Sequence, residues 1–405
     1  MKQYIPRSLE IVIHRAAREF PVVILTGPRQ SGKTTLLNHL FSQSHRYLSL
    51  DPPDIRAAAV NDPRGFLEMY SPPIIFDECQ YAPQLFPYIK AHVDKNRETC
   101  GQFLLPGSQN LQLLEPITES LVGRAAILKL FPFSQREAIG NIHQTLPWEG
   151  EERECVDSPS YVELWKSMLR GYYPELVANP SRDIRLWHSS YVQTYLERDV
   201  RSLRQIGDLT QFQNFVRALA ARSAQLLQIT DLARDLGLSV NTIKAWLSVM
   251  EATYQIVIVR PYFANIGKRL VKTPKIYFTD VGILCYLTGL HDFEHAAAGP
   301  MGGAIFETAV LSELWKTMTH QGIEPRLYFW RTSAGSEVDF LVEHHGKLIP
   351  IEVKLSATPN PSMATGIRSL RRDMGNKIGC GYVVHPGTIR LPLGSETTAI
   401  PFADL

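Results

Sequence analysis

Apolar and polar positions in the first third of the chain fall into a repeating two-part pattern. Short apolar runs at Val22 to Leu25, Tyr47 to Leu50, Pro73 to Phe76, Gln102 to Leu105 and Ala126 to Leu130 are separated by stretches with helical spacing. That alternation predicts a parallel sheet with helices on both faces. An amphipathic opening precedes it, with Leu9, Ile11, Val12 and Ile13 set against Arg15 and Arg18. From Gly140 to about Ser160 the chain turns polar and loses its period, which predicts a linker. Helical spacing resumes at Tyr161 with Leu164, Trp165, Met168 and Leu169, then Trp187, Tyr191, Tyr195 and Leu196, and ends in the charged run Glu197 to Arg201. The aromatic stripe reads as core.

Two further patterns follow. Ile229 to Gly237 predicts a short helix with Thr230 as cap and Gly237 as the turn, and a second helix starts at Ser239, which together read as a helix-turn-helix. Thr253 to Tyr262, rich in Val, Ile and Tyr, predicts the strands of a wing. In the last hundred residues a helix-like stretch, Ala304 to Leu311, precedes two strand-like runs, Glu337 to Val342 and Leu348 to Lys354, which the turn His344-His345-Gly346-Lys347 joins as a hairpin.

The chemistry concentrates between the first strand and the next helix. Gly27-Pro28-Arg29-Gln30-Ser31-Gly32-Lys33-Thr34, followed by Thr35, has the G-x-x-x-x-G-K-[ST] spacing of a phosphate loop in the strand-loop-helix context such a loop requires. Gly27 and Gly32 let the backbone approach phosphate, and the helix that opens there aims N–H groups at the same anion. Lys33 is expected to bring positive charge to the β- and γ-phosphates, and Thr34 to ligate Mg²⁺. The third strand ends in Asp77-Glu78, where ligands of parallel sheets bind. Asp77 is expected to hold Mg²⁺ and Glu78 to polarise an attacking water. The fourth run leads to Ser108, Gln109 and Asn110, which either sense the γ-phosphate or cap a turn. Arg124, before the fifth strand, either neutralises transition-state charge, on its own or a neighbouring subunit, or sits in an ion pair.

In the helix-turn-helix, Asn241, Thr242 and Lys244 are placed to enter a major groove. The basic stretch containing Lys268, Arg269, Lys272 and Lys275 suits phosphate contact or is a solvated face. In the hairpin, Glu352 and Lys354 share a strand face and Asp339 can oppose them, with Glu307 from the helix. Two carboxylates, a lysine and a third carboxylate suit metal-dependent phosphodiester cleavage: Asp339 and Glu352 as Mg²⁺ ligands, Glu307 completing the site, Lys354 orienting water.

Length and composition narrow this picture only a little. A chain of 405 residues accommodates two or three domains, and a net charge of +2 imposes no nucleic-acid partner. Five scattered cysteines without a C-x-x-C pair argue against a disulfide framework or a structural zinc. With no apolar signal core at the N-terminus and no run long enough to cross a bilayer, the expected setting is the cytoplasm, without membrane attachment.

These blocks, together with Leu121-Val122-Gly123-Arg124, Tyr195 to Val200 and Lys275 to Gly282, give a chain that resembles the prokaryotic AAA-type ATPases with a C-terminal domain of unknown function. The resemblance implies an α/β P-loop core over residues 1–145, a linker and helical segment over 146–206, a winged helix over 207–290 and a restriction-endonuclease-like domain over 291–405. It implies ATP and Mg²⁺ as ligands. Three functions stay open: an ATP hydrolase moving its later domains on DNA, an ATP-gated Mg²⁺-dependent nuclease, and an ATP-operated switch for a protein partner. A homo-oligomer is compatible with each.

Overall fold

A computed structural model describes residues 4–107, 121–150, 158–195, 208–262, 272–394 and 396–405. The chain opens with α1 (Glu10–Glu19), β1 (Val22–Thr26), α2 (Lys33–Phe41), β2 (Arg46–Ser49), α3 (Pro53–Asn61), α4 (Pro63–Met69), β3 (Ile74–Asp77), α5 (Leu85–Lys95), β4 (Phe103–Pro106) and β5 (Ala125–Lys129). The five strands pair in parallel, in the order β2-β3-β4-β1-β5. All five expected strands are present, each displaced by no more than one residue at either end. β1 lies between β4 and β5 with every residue buried, which is why its sequence is an unbroken apolar run. Successive residues serve opposite faces. Val22 and Ile24 join Phe76, Phe86, Phe103 and Leu105 on one side, while Val23 and Leu25 join Leu9, Ile13, Leu36 and Leu37 on the other.

The chain continues through α6 (Gln135–Ala138), α7 (Tyr161–Arg170), α8 (Pro174–Val177), α9 (Ile184–Tyr195), α10 (Leu209–Ala220), β6 (Gln225–Leu226), α11 (Ile229–Leu236), α12 (Val240–Ala252), β7 (Ile256–Pro261) and β8 (Lys275–Phe278). α11 and α12 form the helix-turn-helix, with Gly237 left-handed at φ 65° between them and the Ser239 hydroxyl accepting the Thr242 N–H at 3.0 Å. α11 starts two residues earlier than Thr230 would allow as a cap, and Gln228 takes the capping position. Only one wing strand, β7, comes from Thr253–Tyr262. Its antiparallel partner is β8, whose register pairs Ile256 with Phe278.

The last part comprises α13 (Val281–Leu287), α14 (Phe293–Ala298), α15 (Gly302–His320), β9 (Leu327–Arg331), β10 (Glu337–His344), β11 (Lys347–Val353), α16 (Thr365–Met374), β12 (Gly381–His385), β13 (Leu391–Pro392) and β14 (Thr397–Pro401). β7 runs parallel to β9, so the wing and the C-terminal strands form one sheet, β13-β14-β12-β11-β10-β9-β7-β8-β6, over one apolar core reaching from Leu146 to Leu405. The polar stretch around residue 146 is pinned to this core: Leu146 is buried, Trp148 packs on Tyr382, and the Tyr382 hydroxyl donates to the Pro147 carbonyl at 2.9 Å.

The two sheets meet through charge rather than through grease. After β5 the backbone of Phe131 to Ala138 lies against α15, whose Glu313 accepts the N–H groups of Gln135 and Arg136 at 2.5 and 3.3 Å, and whose Lys316 donates to the Phe133 carbonyl at 3.2 Å. Glu137, fully buried, ion-pairs with Arg7 at 3.2 Å and takes the His320 Nδ1–H at 3.1 Å. His320 Nε2 in turn accepts the Phe131 N–H at 3.1 Å, so the ring is neutral. Burial works to raise the Glu137 carboxyl, but Arg7, His320 and the Ser134 amide override it and hold it far below the usual carboxylate range. Burial pushes His320 below its ordinary 6.5 despite Glu137 beside it.

Both shifts have the same sign for stability. Below pH 6.5 the unfolded chain protonates His320 while the folded one resists, and below 4.5 the unfolded chain protonates Glu137. The contribution of this junction to stability therefore falls as pH drops, gently from 6.5 and more steeply below 4.5, with His320 contributing up to about 1.4 kcal/mol per pH unit. Urea unfolding of His320→Gln against the parent at successive pH values should show a flatter upper limb for the variant. Parallel curves would remove His320 from the account. Glu137→Ala, which strands the Arg7 charge in the interior, is expected to cost about 3–5 kcal/mol.

Candidate functional site

At the C-terminal edge of the first sheet the phosphate loop leaves β1 and enters α2. Gly27 has φ 143°, and a Cβ there would sit 2.1 Å from the Leu130 carbonyl oxygen. The glycine is thus required by β5 next door as much as by phosphate. Gly32, at φ 94°, turns the chain into α2. Lys33 is buried and folded back, its Nζ donating to the loop carbonyls of Gly27 and Pro28 at 3.0 and 2.8 Å. Pro28 and Ser31 are buried, Arg29 is half-buried, and Gln30 and Thr35 are exposed.

β3 ends against this loop. Asp77 accepts the Thr34 hydroxyl at 2.9 Å and the Tyr47 hydroxyl at 2.8 Å on one oxygen, and the Glu78 N–H at 3.0 Å on the other. Hydrogen bonding to Asp77 comes second to burial in pushing the Tyr47 phenol up to about 12. Glu78 stands in the left-handed region at φ 56°, a strained conformation for a non-glycine residue, and its carboxylate accepts the Gln80 side-chain amide. Burial, followed by the Asp77 charge, raises the Glu78 pKa, with Gln80, Arg29 and Lys33 opposing. Hydroxyl and carboxylate oxygens are the hard donors that Mg²⁺ takes, and Ser31 Oγ is buried with no partner among the described residues, as a phosphate-binding hydroxyl would be. The set fits a magnesium nucleotide.

The other expected residues divide. Ser108, with Gln109 and Asn110, lies outside the described residues, as do Lys268 and Arg269. Arg124 stands before β5 and level with Val22, at the opposite edge of the sheet from the loop, about 13 Å of strand away from Thr26. It pairs with Asp94 at 2.6 and 3.0 Å. On α12, Asn241 and Lys244 are exposed and Thr242 is half-buried, its hydroxyl 2.8 Å from that of Ser239; Lys272 is exposed.

The C-terminal carboxylates do converge. Asp339 accepts the Val353 N–H at 2.8 Å across the hairpin, and Lys354 donates to Glu352 at 2.6 Å. Glu307, from α15, accepts the Tyr277 hydroxyl at 2.6 Å and lies 3.0 Å from the ammonium of Lys275. Lys275, grouped in the sequence with a basic loop, is instead buried in β8, and also meets Glu337 at 2.7 Å. Tyr47, Gln80, Arg7 and this lysine are the residues that sequence reasoning missed. Only strand register could have found Tyr47, since β2 pairs Ser49 with Asp77.

Models of known families match three consecutive segments: an AAA domain over residues 19–139, a domain of unknown function (DUF8612) over 162–294 and another (DUF4143) over 302–405. Uncharacterized proteins of Mycobacterium tuberculosis and Mycobacterium bovis are each 32% identical over 393 residues, spanning 96% of this chain and 82% of theirs. Among solved structures, a Walker-type ATPase of Pyrococcus abyssi overlays 69% of this chain and 94% of its own at 12% identity and a TM-score of 0.41. The Holliday junction branch migration motor RuvB of Thermotoga maritima overlays 62% and 88% at 14% identity and a TM-score of 0.28.

The approach of Gly27 to β5 gives a direct test of the loop. Gly27→Ala is expected to destabilise the protein by about 1–3 kcal/mol and to abolish binding of a fluorescent ATP analogue. Parent-like affinity would mean that the added Cβ is accommodated and that the loop tolerates a wider path.

Proposed function

Because the chain belongs to the family of AAA-type P-loop ATPases that carry a C-terminal domain of unknown function, we propose that it hydrolyses ATP with Mg²⁺ and passes its nucleotide state to the helix-turn-helix and C-terminal sheet, acting on DNA. The observation that carries the hydrolytic part is the joint placement of Thr34, Asp77 and Glu78 at the mouth of the phosphate loop.

Lys33 exchanges the carbonyls of Gly27 and Pro28 for phosphate oxygens, and Ser31 Oγ gains its missing partner. Thr34 and Asp77 would hold Mg²⁺, which supplies neutralising charge to the β- and γ-phosphates. Tyr47 fixes the Asp77 carboxylate in the required orientation. Glu78, its basicity raised by burial and by Asp77, polarises the water that attacks in line, and Gln80 sets its direction. Ser108 is our candidate γ-phosphate sensor, and Arg124 would act on the loop of a neighbouring copy in a homo-oligomer.

Two contacts support transmission. The Tyr254 hydroxyl, just past α12, donates to Thr26 Oγ1 at 2.9 Å, and Arg7 joins the Ser31 carbonyl, at 3.1 Å, to the Glu137–His320 pair. The helix-turn-helix and the α15 junction thus each touch one end of the phosphate loop. For DNA, the support is the exposed α12 face bearing Asn241 and Lys244, with exposed Lys272 shortly before β8.

The test is ATP turnover by the full chain with no DNA, single-stranded DNA or double-stranded DNA. Lys33→Ala should lose nucleotide binding. Glu78→Gln should bind ATP within a few-fold of the parent and turn over about 100-fold more slowly or less; unaltered turnover rejects Glu78 as the base. Duplex DNA should stimulate the parent, and affinity should fall with salt and on Lys244→Ala. No DNA affinity at low salt would transfer the α12 face to a protein partner.

A further inference from the structure

In the C-terminal cluster a cation is already in place, and it belongs to the chain. Lys275 Nζ lies 2.7 Å from Glu337 Oε1, 3.0 Å from Glu307 Oε1 and 3.9 Å from Asp339 Oδ1, with only 4% of its side chain exposed. Two of these, Glu307 and Asp339, are among the carboxylates that a phosphodiester-cleaving site would offer to magnesium. We infer that Lys275 is the built-in cation of this cluster, its ammonium filling the place a divalent ion would take, so that the hairpin site holds no metal and does not cleave phosphodiester bonds.

The donor set shows the same preoccupation residue by residue. Asp339 Oδ2 accepts the Val353 N–H, and its Oδ1 faces the lysine from 3.9 Å. Glu307 Oε1 already accepts from both Lys275 and Tyr277. Glu352 Oε2 is bound by Lys354, and its Oε1 is pressed against α16 so closely that a Cβ on Gly366 would fall 2.0 Å from it. Among the described residues, no group of three or more histidine, cysteine or carboxylate side chains is arranged to hold a metal ion.

Lys275 cannot easily move aside. Its backbone is paired on both edges of β8, to Val259 in β7 and to Leu226 in β6, and its ammonium lies 5.5 Å from the centre of the Phe329 ring. Of the three donors of the ammonium, two are directed at Glu337 and Glu307, Asp339 adds its field from 3.9 Å, and the group offers no lone pair to a second cation. At about 3 Å that ammonium would repel a divalent ion and compete with it for the same carboxylates. Burial disfavours the charge, yet the fields of Glu307, Asp339 and Glu337 outweigh it and keep the lysine protonated well above neutral pH. The cluster is a structural ion-pair network.

The inference is independent of ATP hydrolysis, and its test removes the ATPase metal ligand. In the full chain carrying Asp77→Asn, without nucleotide, Mn²⁺ binding is followed by electron paramagnetic resonance in the parent, in Lys275→Ala and in Lys275→Ala/Asp339→Asn. The parent should hold no Mn²⁺ that depends on Asp339. Lys275→Ala should gain one site, about tenfold tighter than any in the parent, accompanied by a Mn²⁺-dependent rise in melting temperature, and the second substitution should abolish both. A parent site lost on Asp339→Asn overturns the inference, as does a folded Lys275→Ala that gains none. If Lys275→Ala does not fold, the parent against Asp339→Asn still decides it. So does plasmid DNA: Mg²⁺-dependent cleavage that disappears with Asp339→Asn would refute it.

Discussion

One guanidinium ties the nucleotide loop to the rest of the molecule. Arg7, 3% exposed, donates to the carbonyls of Ser31 and Phe131 at 3.1 and 2.7 Å, pairs with Glu137 and lies 4.3 Å from the centre of the Phe133 ring. An arginine is suited to this because it stays charged when buried and presents five donors in a fixed fork. A lysine has three donors on one point charge and lacks the planar fork that reaches these separated partners together. The position of the phosphate loop relative to β5, and of β5 relative to α15, is therefore set by a residue that precedes the first helix.

The junction beyond Arg7 extends the same logic. Glu313, Lys316 and His320 occupy one side of α15 at helical spacing, and each satisfies a backbone group of the segment after β5. That segment has no strand or long helix to pair its amides, and a buried unpaired amide costs about 1–3 kcal/mol. Polar side chains on α15 are the solution. They specify where the second half docks, since an apolar surface would permit sliding and these directed bonds do not.

What could be read from the sequence follows from how local each signal is. The sheet was legible because β1, β3 and β4 are buried on both faces and read as unbroken apolar runs, and the phosphate loop because its spacing is dictated by an anion. The hairpin was legible from two strand-like runs and the turn between them, where His345 and Gly346 both take positive φ. The wing was half legible: β7 has its signal, but its partner lies beyond the intervening basic stretch. Lys275 misled because a lysine beside other basic residues signals a solvated run, and only the pairing of β8 with β7, together with α15 bringing Glu307, turns it inward. The Arg7 network spans 130 residues between Arg7 and Glu137 and 183 between Glu137 and His320, and no local pattern encodes such a separation.

The unequal strength of the contacts around the phosphate loop bears on where nucleotide-linked movement would occur. Thr26 is held by Tyr254 and Ser31 by Arg7, both buried, and releasing the second would break a buried hydrogen bond from a charged donor at a cost of about 1.5–3 kcal/mol. On the remaining side, α8 and α9 face Gln30 across a cleft of about 360 Å³ lined by Glu175, Arg182, Asp183 and Trp187. Its ion pair, Arg182 to Glu175 at 2.9 Å, is half-exposed, and pairs of that kind contribute about 0–1 kcal/mol. Leu176, Trp187 and Tyr191 anchor α8 and α9 in the large apolar core, so a displacement on this side would be confined to the half-exposed side chains that line the cleft and would leave the α15 junction intact. The C-terminal sheet would then respond as a body already fixed to the ATPase core, through small shifts of Ser31 and Thr26, rather than by swinging on a hinge.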